Sequence, residues 1–323
     1  MTASPASVSP VATRDLLRHV PPNCAPLESR RGEETGEEIV ELSFRGFRYD
    51  CRVLHTRTAR TEPILMLGGA AQDKYSWARF EPRFTEVASV VSVDLPGWGN
   101  SDVLPARYDM AFLADAARHA LDRIGVRKVN LVGACYGGTI GLQFAQRHPE
   151  HVARLLLVGA RRTLSEPLRE TFLRTVEALG DHRRDDFARS VVELLAPVLD
   201  QAPTRRGAAL SRLLERQFLR MPEGQAERFG ENAARMLRHQ LCGPDPLPPA
   251  PTLFVHGEHD RYAPPAHGDE MAAHVPGARV AVMPAAGHMV QLEQPEVITD
   301  LVVRFFTDQS LDHLPLTLYS ARN

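Results

Sequence analysis

Two hydrophobic patterns alternate along most of the chain. Short continuous apolar runs, typical of buried strands, are separated by longer segments whose apolar residues recur every three or four positions, the period of an amphipathic helix. The apolar runs cover residues 64–67, 88–94, 129–134, 153–158, 252–256 and 279–283. The helical patterns cover residues 109–124, 139–147, 266–274 and 295–307. Strands that alternate with helices in this way predict an α/β fold with a doubly wound, mostly parallel sheet.

The two ends of the chain carry other patterns. Residues 38–45 and 48–55 alternate apolar and polar positions around Gly46, which predicts an antiparallel hairpin. Residues 1–36 are rich in Pro, Ser, Ala and charge, with one short helical pattern at 13–20, and predict a flexible leader. Residues 310–323 show neither period, and we interpret them as a tail.

Strand signals disappear between residues 161 and 247, where helical patterns follow one another. They cover residues 168–179, 186–195, 208–219 and 226–241. Because this block stands between two predicted core strands, we expect a helical cap or lid inserted into the sheet domain, with a purely structural insertion as the alternative. The predicted organisation is a leader (1–36), a first core part (37–160), the cap (161–247), a second core part (248–309) and the tail (310–323).

Composition and charge narrow the class of partner. The 323 residues, 43% of them hydrophobic, can form one large domain with an insertion. A formal net charge of −2 gives no case for nucleic acid, and no apolar run reaches the ~20 residues of a membrane span. The four cysteines, Cys24, Cys51, Cys135 and Cys242, have neither disulfide nor metal-ligand spacing, so we expect a reducing, cytoplasmic location and no metal. No nucleotide-binding loop is found, and no cofactor is expected.

The strongest local signal lies directly between a predicted strand and a predicted helix. It reads Gly133-Ala134-Cys135-Tyr136-Gly137-Gly138, a G-x-C-x-G pattern. A sharp turn there would lift Cys135 off the sheet edge, and the glycines would leave room for the crowded backbone. The N-terminus of the following helix favours a thiolate. Although most free cysteines are small buried hydrophobes, we predict that Cys135 is a nucleophile and that the other three cysteines are inert.

Residues 38–307 resemble an α/β-hydrolase with a helical cap. Four features occur in the order of that superfamily: Leu67-Gly68-Gly69-Ala70, the Asp-x-Pro-Gly-x-Gly-x-Ser of residues 94–101, the Gly-x-Cys-x-Gly turn, and Gly257-x-x-Asp260 followed by Gly287-His288. Gly68-Gly69 replaces the usual His-Gly, so the local support of that loop differs. Cys at the turn is a minority choice, either native or an engineered replacement of Ser. The turn is similar to that of polyhydroxyalkanoate synthases, and the general layout is similar to the hydroxyacyl transferases of rhamnolipid-precursor synthesis.

The resemblance implies a catalytic set in the order nucleophile, acid, histidine. His288 would be the general base and acid, and Asp260 would orient its imidazole, with Glu258 and Asp269 as rival acids. The backbone N–H groups of Ala70 and Tyr136 would form an oxyanion hole, where losing one donor typically costs ~2.7–4 kcal/mol.

Other residues are expected to support this set. The turn at 94–101 would brace the loop at 68–72, and Trp77 and Trp98 would either pack in the core or line the pocket. Three arginine pairs would either meet an acidic partner or lie on a solvated cap face. They are Arg161/Arg162, Arg183/Arg184 and Arg205/Arg206.

The cysteine decides the predicted chemistry. A thioester intermediate keeps the acyl group at an energy close to that on a carrier protein or coenzyme A. The leading hypothesis is therefore an acyltransferase that moves an acyl group from such a thioester donor, through acyl-Cys135, to a small hydroxyl or amine acceptor. A thioesterase or esterase is the close alternative, since only the admission of water separates the two. A third alternative is a non-catalytic protein that binds a small ligand.

Overall fold

A computed structural model describes residues 36–196, 204, 207–243 and 245–320. The predicted leader up to residue 35, its helical pattern at 13–20, Cys24 and the pair Arg205/Arg206 lie outside these residues. In the described chain one sheet has the strand order β1-β2-β4-β3-β5-β6-β7-β8-β9. The strands are β1 Glu37–Phe44, β2 Phe47–Leu54, β3 Ile64–Leu67, β4 Val90–Asp94, β5 Val129–Ala134, β6 Val152–Val158, β7 Thr252–Gly257, β8 Arg279–Met283 and β9 Thr317–Ser320. From β4 to β8 all neighbours are parallel, which confirms the predicted fold class.

Helices connect these strands. They are α1 Glu81–Phe84, α2 Met110–Arg123, α3 Tyr136–Arg147, α4 Glu166–Gly180, α5 Arg184–Leu195, α6 Gly207–Leu219, α7 Glu223–Arg238, α8 Pro265–Ala272, α9 Val290–Glu293 and α10 Pro295–Phe306. Helix α3 begins at Tyr136, three positions before the predicted start, because Cys135 itself is its N-cap residue. Helix α1 was not predicted, because it is a single turn and too short to show a period.

The edges of the sheet are antiparallel. The predicted hairpin is formed by β1 and β2, whose turn residues Arg45 and Gly46 have φ values of 48° and 89°. At the other edge, β9 pairs antiparallel with β8. Residues 317–320, part of the segment 310–323 that the sequence patterns left unassigned as a tail, therefore form a strand of the sheet. Four residues of mixed polarity are too few to show a strand pattern, but the free edge of β8 pairs with them.

Both faces of the sheet are buried, as a parallel sheet covered by helices requires. In β3, Leu65 and Leu67 belong to one hydrophobic cluster, whereas Ile64 and Met66 belong to a second cluster on the opposite face. The nucleophile turn follows the neighbouring central strand, β5, and so lies at the carboxyl end of a rigid, fully buried element.

Helices α4 to α7 all lie between β6 and β7 in sequence, at the position predicted for the cap. Helix α7 is joined to the core by polar contacts as well as by packing. Asn232 donates to the carbonyl of Gly97 at 3.0 Å, and Arg228 donates to the carbonyl of Ser101 at 2.9 Å. The fully buried Arg235 lies next to these contacts on the same helix.

Candidate active site

Cys135 lies at a backbone turn that few residues with a side chain adopt. Its φ of 54° and ψ of −115° are outside the favoured regions. Two glycines make the turn sterically feasible. A Cβ on Gly137 would lie 2.1 Å from the carbonyl oxygen of Leu67, and one on Gly133 would lie 2.6 Å from the carbonyl oxygen of Gly137. The structure therefore places Cys135 at the apex between β5 and α3, where only glycine fits at both supporting positions.

His288 and Asp260 form a buried pair. Nδ1 of His288 donates to Oδ2 of Asp260 at 2.8 Å, and Oδ1 of Asp260 accepts from the backbone N–H of Ala263 at 2.8 Å. The two side chains are 2% and 0% exposed. Both oxygens of the carboxylate are thus engaged, so the imidazole is fixed in orientation and in tautomer, with Nε2 left for proton transfer.

The rival acids make other contacts. Glu258, with a half-exposed side chain, accepts from the backbone N–H of Ala285 at 2.9 Å. Asp269 lies in α8 and contacts Tyr319 of β9. The pKa of Tyr319 is raised mainly by burial and further by its hydrogen bond to Asp269 and by the charge of that carboxylate. Among the three carboxylates considered, only Asp260 has a hydrogen bond to His288.

Gly159 joins the nucleophile to this pair. The N–H of Cys135 donates to the carbonyl of Val158 at 2.8 Å, and the next residue, Gly159, has a φ of 59°. A Cβ on Gly159 would lie 2.6 Å from Cε1 of His288 and 3.5 Å from Oδ2 of Asp260. The end of β6 thus fits against the His288–Asp260 pair only because Gly159 carries no side chain. A glycine after a strand is common, and the sequence analysis did not single it out.

The proton affinity of His288 depends on its neighbours. Its Nε2 is buried, and Cys135 raises the pKa of His288 through its charge and through a side-chain hydrogen bond. Burial lowers the pKa of His288, but the charges of Asp260 and of the Cys135 thiolate, with the Asp260 hydrogen bond, outweigh burial and raise the pKa to about 10. Whenever Cys135 is a thiolate, His288 is therefore protonated at neutral pH.

Two residues that the sequence analysis missed hold the histidine in place. The buried carboxylate of Glu293 accepts from the N–H of Gly287 at 2.9 and 3.0 Å, and burial raises its pKa. The ring of Tyr262 packs against the imidazole of His288, with ring centroids 4.6 Å apart. Both residues stand only a few positions from a predicted catalytic residue, which is the one signal that could have identified them.

The predicted oxyanion donors lie beside the nucleophile. Tyr136 follows Cys135 directly, and a Cβ on Gly69, the residue before Ala70, would lie 3.5 Å from the Cβ of Cys135. Neither the N–H of Ala70 nor that of Tyr136 has an acceptor among the described residues. Two backbone donors next to a nucleophile are the arrangement that stabilises a tetrahedral oxyanion.

The loop before Ala70 is braced from two sides. Oε1 of Gln72 accepts from the N–H of Gly69 at 2.6 Å, and the indole Nε1 of Trp98 donates to the carbonyl of Gly69 at 3.0 Å. Further along, the N–H and Nζ of Lys74 donate to the two carboxylate oxygens of Asp94 at 2.7 and 3.0 Å. Burial raises the pKa of Asp94 to about 6 despite this cation. The turn that begins at Asp94 therefore contacts the loop directly.

A cavity of about 130 Å³ separates Cys135 from the cap. Cys135, Ala70 and Tyr136 form part of its floor, and we call it the cap cavity. Side chains from all four cap helices form its apolar wall. They include Phe172 of α4, Leu194 of α5, Leu214 and Phe218 of α6, and Phe229 and Ala233 of α7.

The two tryptophans do not line the cap cavity. Trp98 is buried with its ring edge-on to Tyr136, at 5.1 Å between centroids. Trp77 packs against Phe80 on the other face of the sheet, at 5.8 Å. Of the two roles considered for them, the structure supports core packing.

Arg161 and Arg183, from two of the three arginine pairs, have different environments in the structure. Arg161 is 1% exposed, which contradicts a solvated position for this residue. Its guanidinium donates to the carbonyls of Thr163 and Tyr262 at 2.6 and 2.5 Å and lies over the Tyr262 ring. Arg183, in contrast, is partly exposed and pairs with acidic residues of the cap surface, at 3.1 Å for Asp181.

The other described cysteines have a different environment from Cys135. Cys51 is fully buried in β2, and burial raises the pKa of its thiol to about 12. Burial also raises the pKa of Cys242, whose Sγ lies 3.4 Å from Oε1 of Gln146. Neither lies at a strained turn.

Comparison with known proteins places these features in a family. Residues 62–295, which include Cys135, Asp260 and His288, match the family model described as alpha/beta hydrolase fold. In the described residues no helix is long and apolar enough to cross a membrane, and no group of three or more His, Cys, Asp or Glu side chains could hold a metal ion.

Several similar proteins of known name are hydrolases, and another is the dihydrolipoyllysine-residue acetyltransferase component of an acetoin cleaving system of Pseudomonas putida, 28% identical over 251 residues and covering 75% of this chain and 63% of the relative. A 2-hydroxy-6-oxononadienedioate/2-hydroxy-6-oxononatrienedioate hydrolase of Klebsiella pneumoniae is 26% identical over 260 residues, covering 76% of this chain and 86% of the relative. A 2-hydroxymuconate semialdehyde hydrolase of Pseudomonas sp. strain CF600 is 28% identical over 290 residues, covering 85% and 95%. An α/β-hydrolase from a Medee basin deep-sea metagenome library superposes with a TM-score of 0.74 at 20% identity, over 85% of this chain and 99% of that chain. This last likeness is evidence for the fold alone.

Proposed function

This chain belongs to the α/β-hydrolase fold family, and from that premise we propose that it is a hydrolase that cleaves an ester or thioester through an acyl-Cys135 intermediate. One observation supports the proposal most directly: Cys135 at the strained turn and two backbone donors without an acceptor among the described residues line one cavity, and the buried His288–Asp260 pair is close enough to Cys135 to respond to its charge. The named hydrolases among the relatives support the choice of hydrolysis.

Acylation uses the protonated form of His288. The Cys135 thiolate attacks the substrate carbonyl carbon, a C–S bond forms, and the oxyanion accepts hydrogen bonds from Ala70 and Tyr136. The intermediate collapses as the bond to the leaving group breaks, and the leaving group takes the proton from Nε2 of His288. Alcohol or thiol departs, and the acyl group remains on Cys135.

Deacylation uses the neutral form of the same residue. Acyl-Cys135 has no negative charge, so one of the two charges that raise the pKa of His288 is gone and the pKa falls. Nε2 can then take a proton from water while the hydroxide adds to the thioester carbonyl. The C–S bond breaks, the carboxylic acid leaves, and thiolate and imidazolium are restored.

Acyl transfer is the second candidate, and the cysteine favours it. A thioester on Cys135 retains the acyl potential of a donor on a carrier protein or coenzyme A, so an alcohol or amine in place of water would complete a transfer. The cap helices over Cys135 would then exclude water and admit the acceptor.

The substrate named for the Klebsiella relative is a dicarboxylate, and we do not assign it to this chain. None of the described residues that line the cap cavity is Arg, Lys or His. A carboxylate bound there would have no cationic partner among them.

Intact-protein mass spectrometry with a panel of esters and acyl thioesters tests the proposal. We expect an acyl adduct on the wild type that water clears, and none on Cys135→Ala, whose turnover should fall by at least ~10³-fold because the nucleophile is gone. Cys242→Ala is the matched control, because it removes another half-buried thiol outside the site and should retain activity.

The outcomes separate the candidates. An adduct that alcohols or amines clear much faster than water would establish transfer in place of hydrolysis. Full activity in Cys135→Ala would contradict both reactions through this residue. No adduct and no turnover with any member of the panel would indicate the non-catalytic ligand-binding role.

A further inference from the structure

The cap cavity has no charged side chain among its described lining residues. Its polar groups are few: Cys135 itself, the hydroxyls of Ser76, Tyr136 and Tyr262, and three glutamines. Oε1 of one of these, Gln291, is buried without a hydrogen-bond partner among the described residues. All other lining side chains are apolar, and the cap contributes only Gln217 as a polar one.

Arg235, a buried cation near this cavity, is directed elsewhere. Its Nε donates to the carbonyl of Tyr108 at 2.7 Å, Nη1 donates to the hydroxyl of Tyr136 at 3.3 Å and to Asn232, and Nη2 donates to the carbonyls of Leu104 and Pro105 at 2.5 and 3.3 Å. All five guanidinium donors are therefore engaged within the protein.

Arg161 is also directed away from a substrate. Besides its bonds to the carbonyls of Thr163 and Tyr262, its Nη2 lies 3.2 Å from Nε2 of His267. It is not among the residues that line the cavity. The charged groups nearest to the floor are the Cys135 thiolate, the protonated His288 and Asp260, and because His288 is already paired with the two anions, this group is net negative and offers a carboxylate no free cation.

The volume of the cap cavity limits the size of the acyl group that it can hold. An apolar protein cavity of ~150 Å³ stays dry and binds benzene, a six-carbon ligand. The 130 Å³ of the cap cavity is of similar size, and its floor is the nucleophile itself. An acyl chain whose carbonyl oxygen lies near Ala70 and Tyr136 would therefore extend into the apolar wall under the cap.

We infer that the cap cavity selects a neutral, apolar acyl group of about six to eight carbons and rejects an acyl group of the same length that ends in a carboxylate. The inference rests on the proposed acyl-Cys135 chemistry and adds its substrate class. Apolar surface gains from burial in such a wall, whereas a buried carboxylate without a partner loses its hydration and receives nothing in return.

Matched ester pairs test this selection. Hydrolysis of p-nitrophenyl acetate, hexanoate, octanoate and dodecanoate would be compared with that of the mono-p-nitrophenyl esters of adipate and suberate, which carry the same six- and eight-carbon chains with a terminal carboxylate. We expect kcat/KM to be highest for hexanoate or octanoate and at least 100-fold lower for each carboxylate partner.

Two variants locate the selection in the cap wall. Gln217→Arg adds a cation at a half-buried lining position and should raise kcat/KM for the adipate monoester at least 10-fold relative to the wild type. Ala233→Leu fills part of the cavity and should move the optimum to a shorter chain. Ala234→Leu, one position along the same helix and outside the lining, is the control and should retain the wild-type optimum.

These experiments distinguish failure of the proposed function from failure of the proposed substrate class. If the wild type hydrolyses no ester and forms no adduct, the proposed function fails. If it hydrolyses the panel through Cys135 but accepts the carboxylate esters equally well, or shows no chain-length optimum that Ala233→Leu moves, the proposed function stands and the substrate class is overturned.

Discussion

His288 is subject to opposing influences. Burial disfavours its charged form, whereas Asp260 and the Cys135 thiolate favour it, and the two charges outweigh burial. In the proposed reaction one of these charges is temporary, because acylation would remove the thiolate. The same ring would therefore hold its proton before acylation and release it more easily afterwards, the order in which a leaving group and then a water molecule require it.

Replacing Asp260 with Asn should lower the pKa of His288. The folded-state pKa of about 10 lies above the ordinary 6.5, so the stabilisation linked to this proton is complete below pH 6.5 and is lost as the pH rises to about 10. In Asp260→Asn the imidazole should titrate at lower pH, and the alkaline loss of stability should be smaller and should end at a lower pH. NMR titration of His288 and urea unfolding at several pH values measure the two effects.

The control is Glu258→Gln, because this carboxylate is close in sequence but bonds to Ala285. It should leave the His288 titration unchanged. A titration that stays at its wild-type position in Asp260→Asn would show that the carboxylate does not set the proton affinity of the ring.

The proposed nucleophile, acid and base could be predicted because each stands in a short local pattern at a strand end. Their supporting residues could not. Glu293 is only six positions from Gly287, but a single carboxylate at that spacing forms no recognisable motif. Gly159 must be small because of His288, far along the chain, and such a requirement arises only when distant segments meet, so no local spacing encodes it.

The apolar periodicity of helix α7 does not reveal where the helix ends or which of its polar residues attach it to the core. Its apolar period predicted an end at residue 241, but the helix ends at Arg238, where His239 becomes extended and its ring bonds to the carbonyl of Ala106 at 2.8 Å. The polar residues on its inner face are the ones that fix it to the core. A pattern of apolar positions identifies a buried face but not which buried polar side chains have partners.

Replacing Arg235 with Leu should destabilise the protein by about 3–5 kcal/mol, because several buried carbonyls and the Tyr136 hydroxyl lose their charged donor at once. We also expect a lower kcat, since the side chain of Tyr136 is held by this bond next to its own backbone donor. Urea unfolding and ester hydrolysis measure both.

Arg238→Leu is the matched control on the same helix. Its side chain is exposed, and its unfolding free energy should change by less than about 0.5 kcal/mol. An Arg235→Leu protein as stable as this control would contradict the anchoring role.

At the scale of the whole molecule, the fold class followed from the order of strand and helix patterns, and the cap followed from the block without strands. The order of the strands in the sheet could not be predicted from these patterns, and neither could the pairing of β9 with β8. Pairing depends on which edge is left open when the other strands are in place. That is a property of the assembled sheet.

Removing residues 309–323 should destabilise the protein and promote self-association. The truncation exposes the edge of β8 and removes Leu311, which is 2% exposed and part of the core on one face of the sheet. We expect a lower melting temperature and larger species in size-exclusion chromatography.

A truncation that removes only residues 321–323 and keeps β9 serves as the control and should behave as the full chain. A fully monomeric protein of unchanged melting temperature after the longer truncation would show that β9 does not protect the edge.

The anchoring of α7 also bears on how such a fold could be re-engineered. A helix bonded to the core at Gly97, Ser101 and Leu104 belongs to the core by its contacts, whatever its place in the chain. The segment that a chimera could exchange without breaking these bonds is therefore residues 161–222, with α4 to α6. Transplanting that module would change most of the cavity wall and leave the catalytic floor and its α7 support in the recipient.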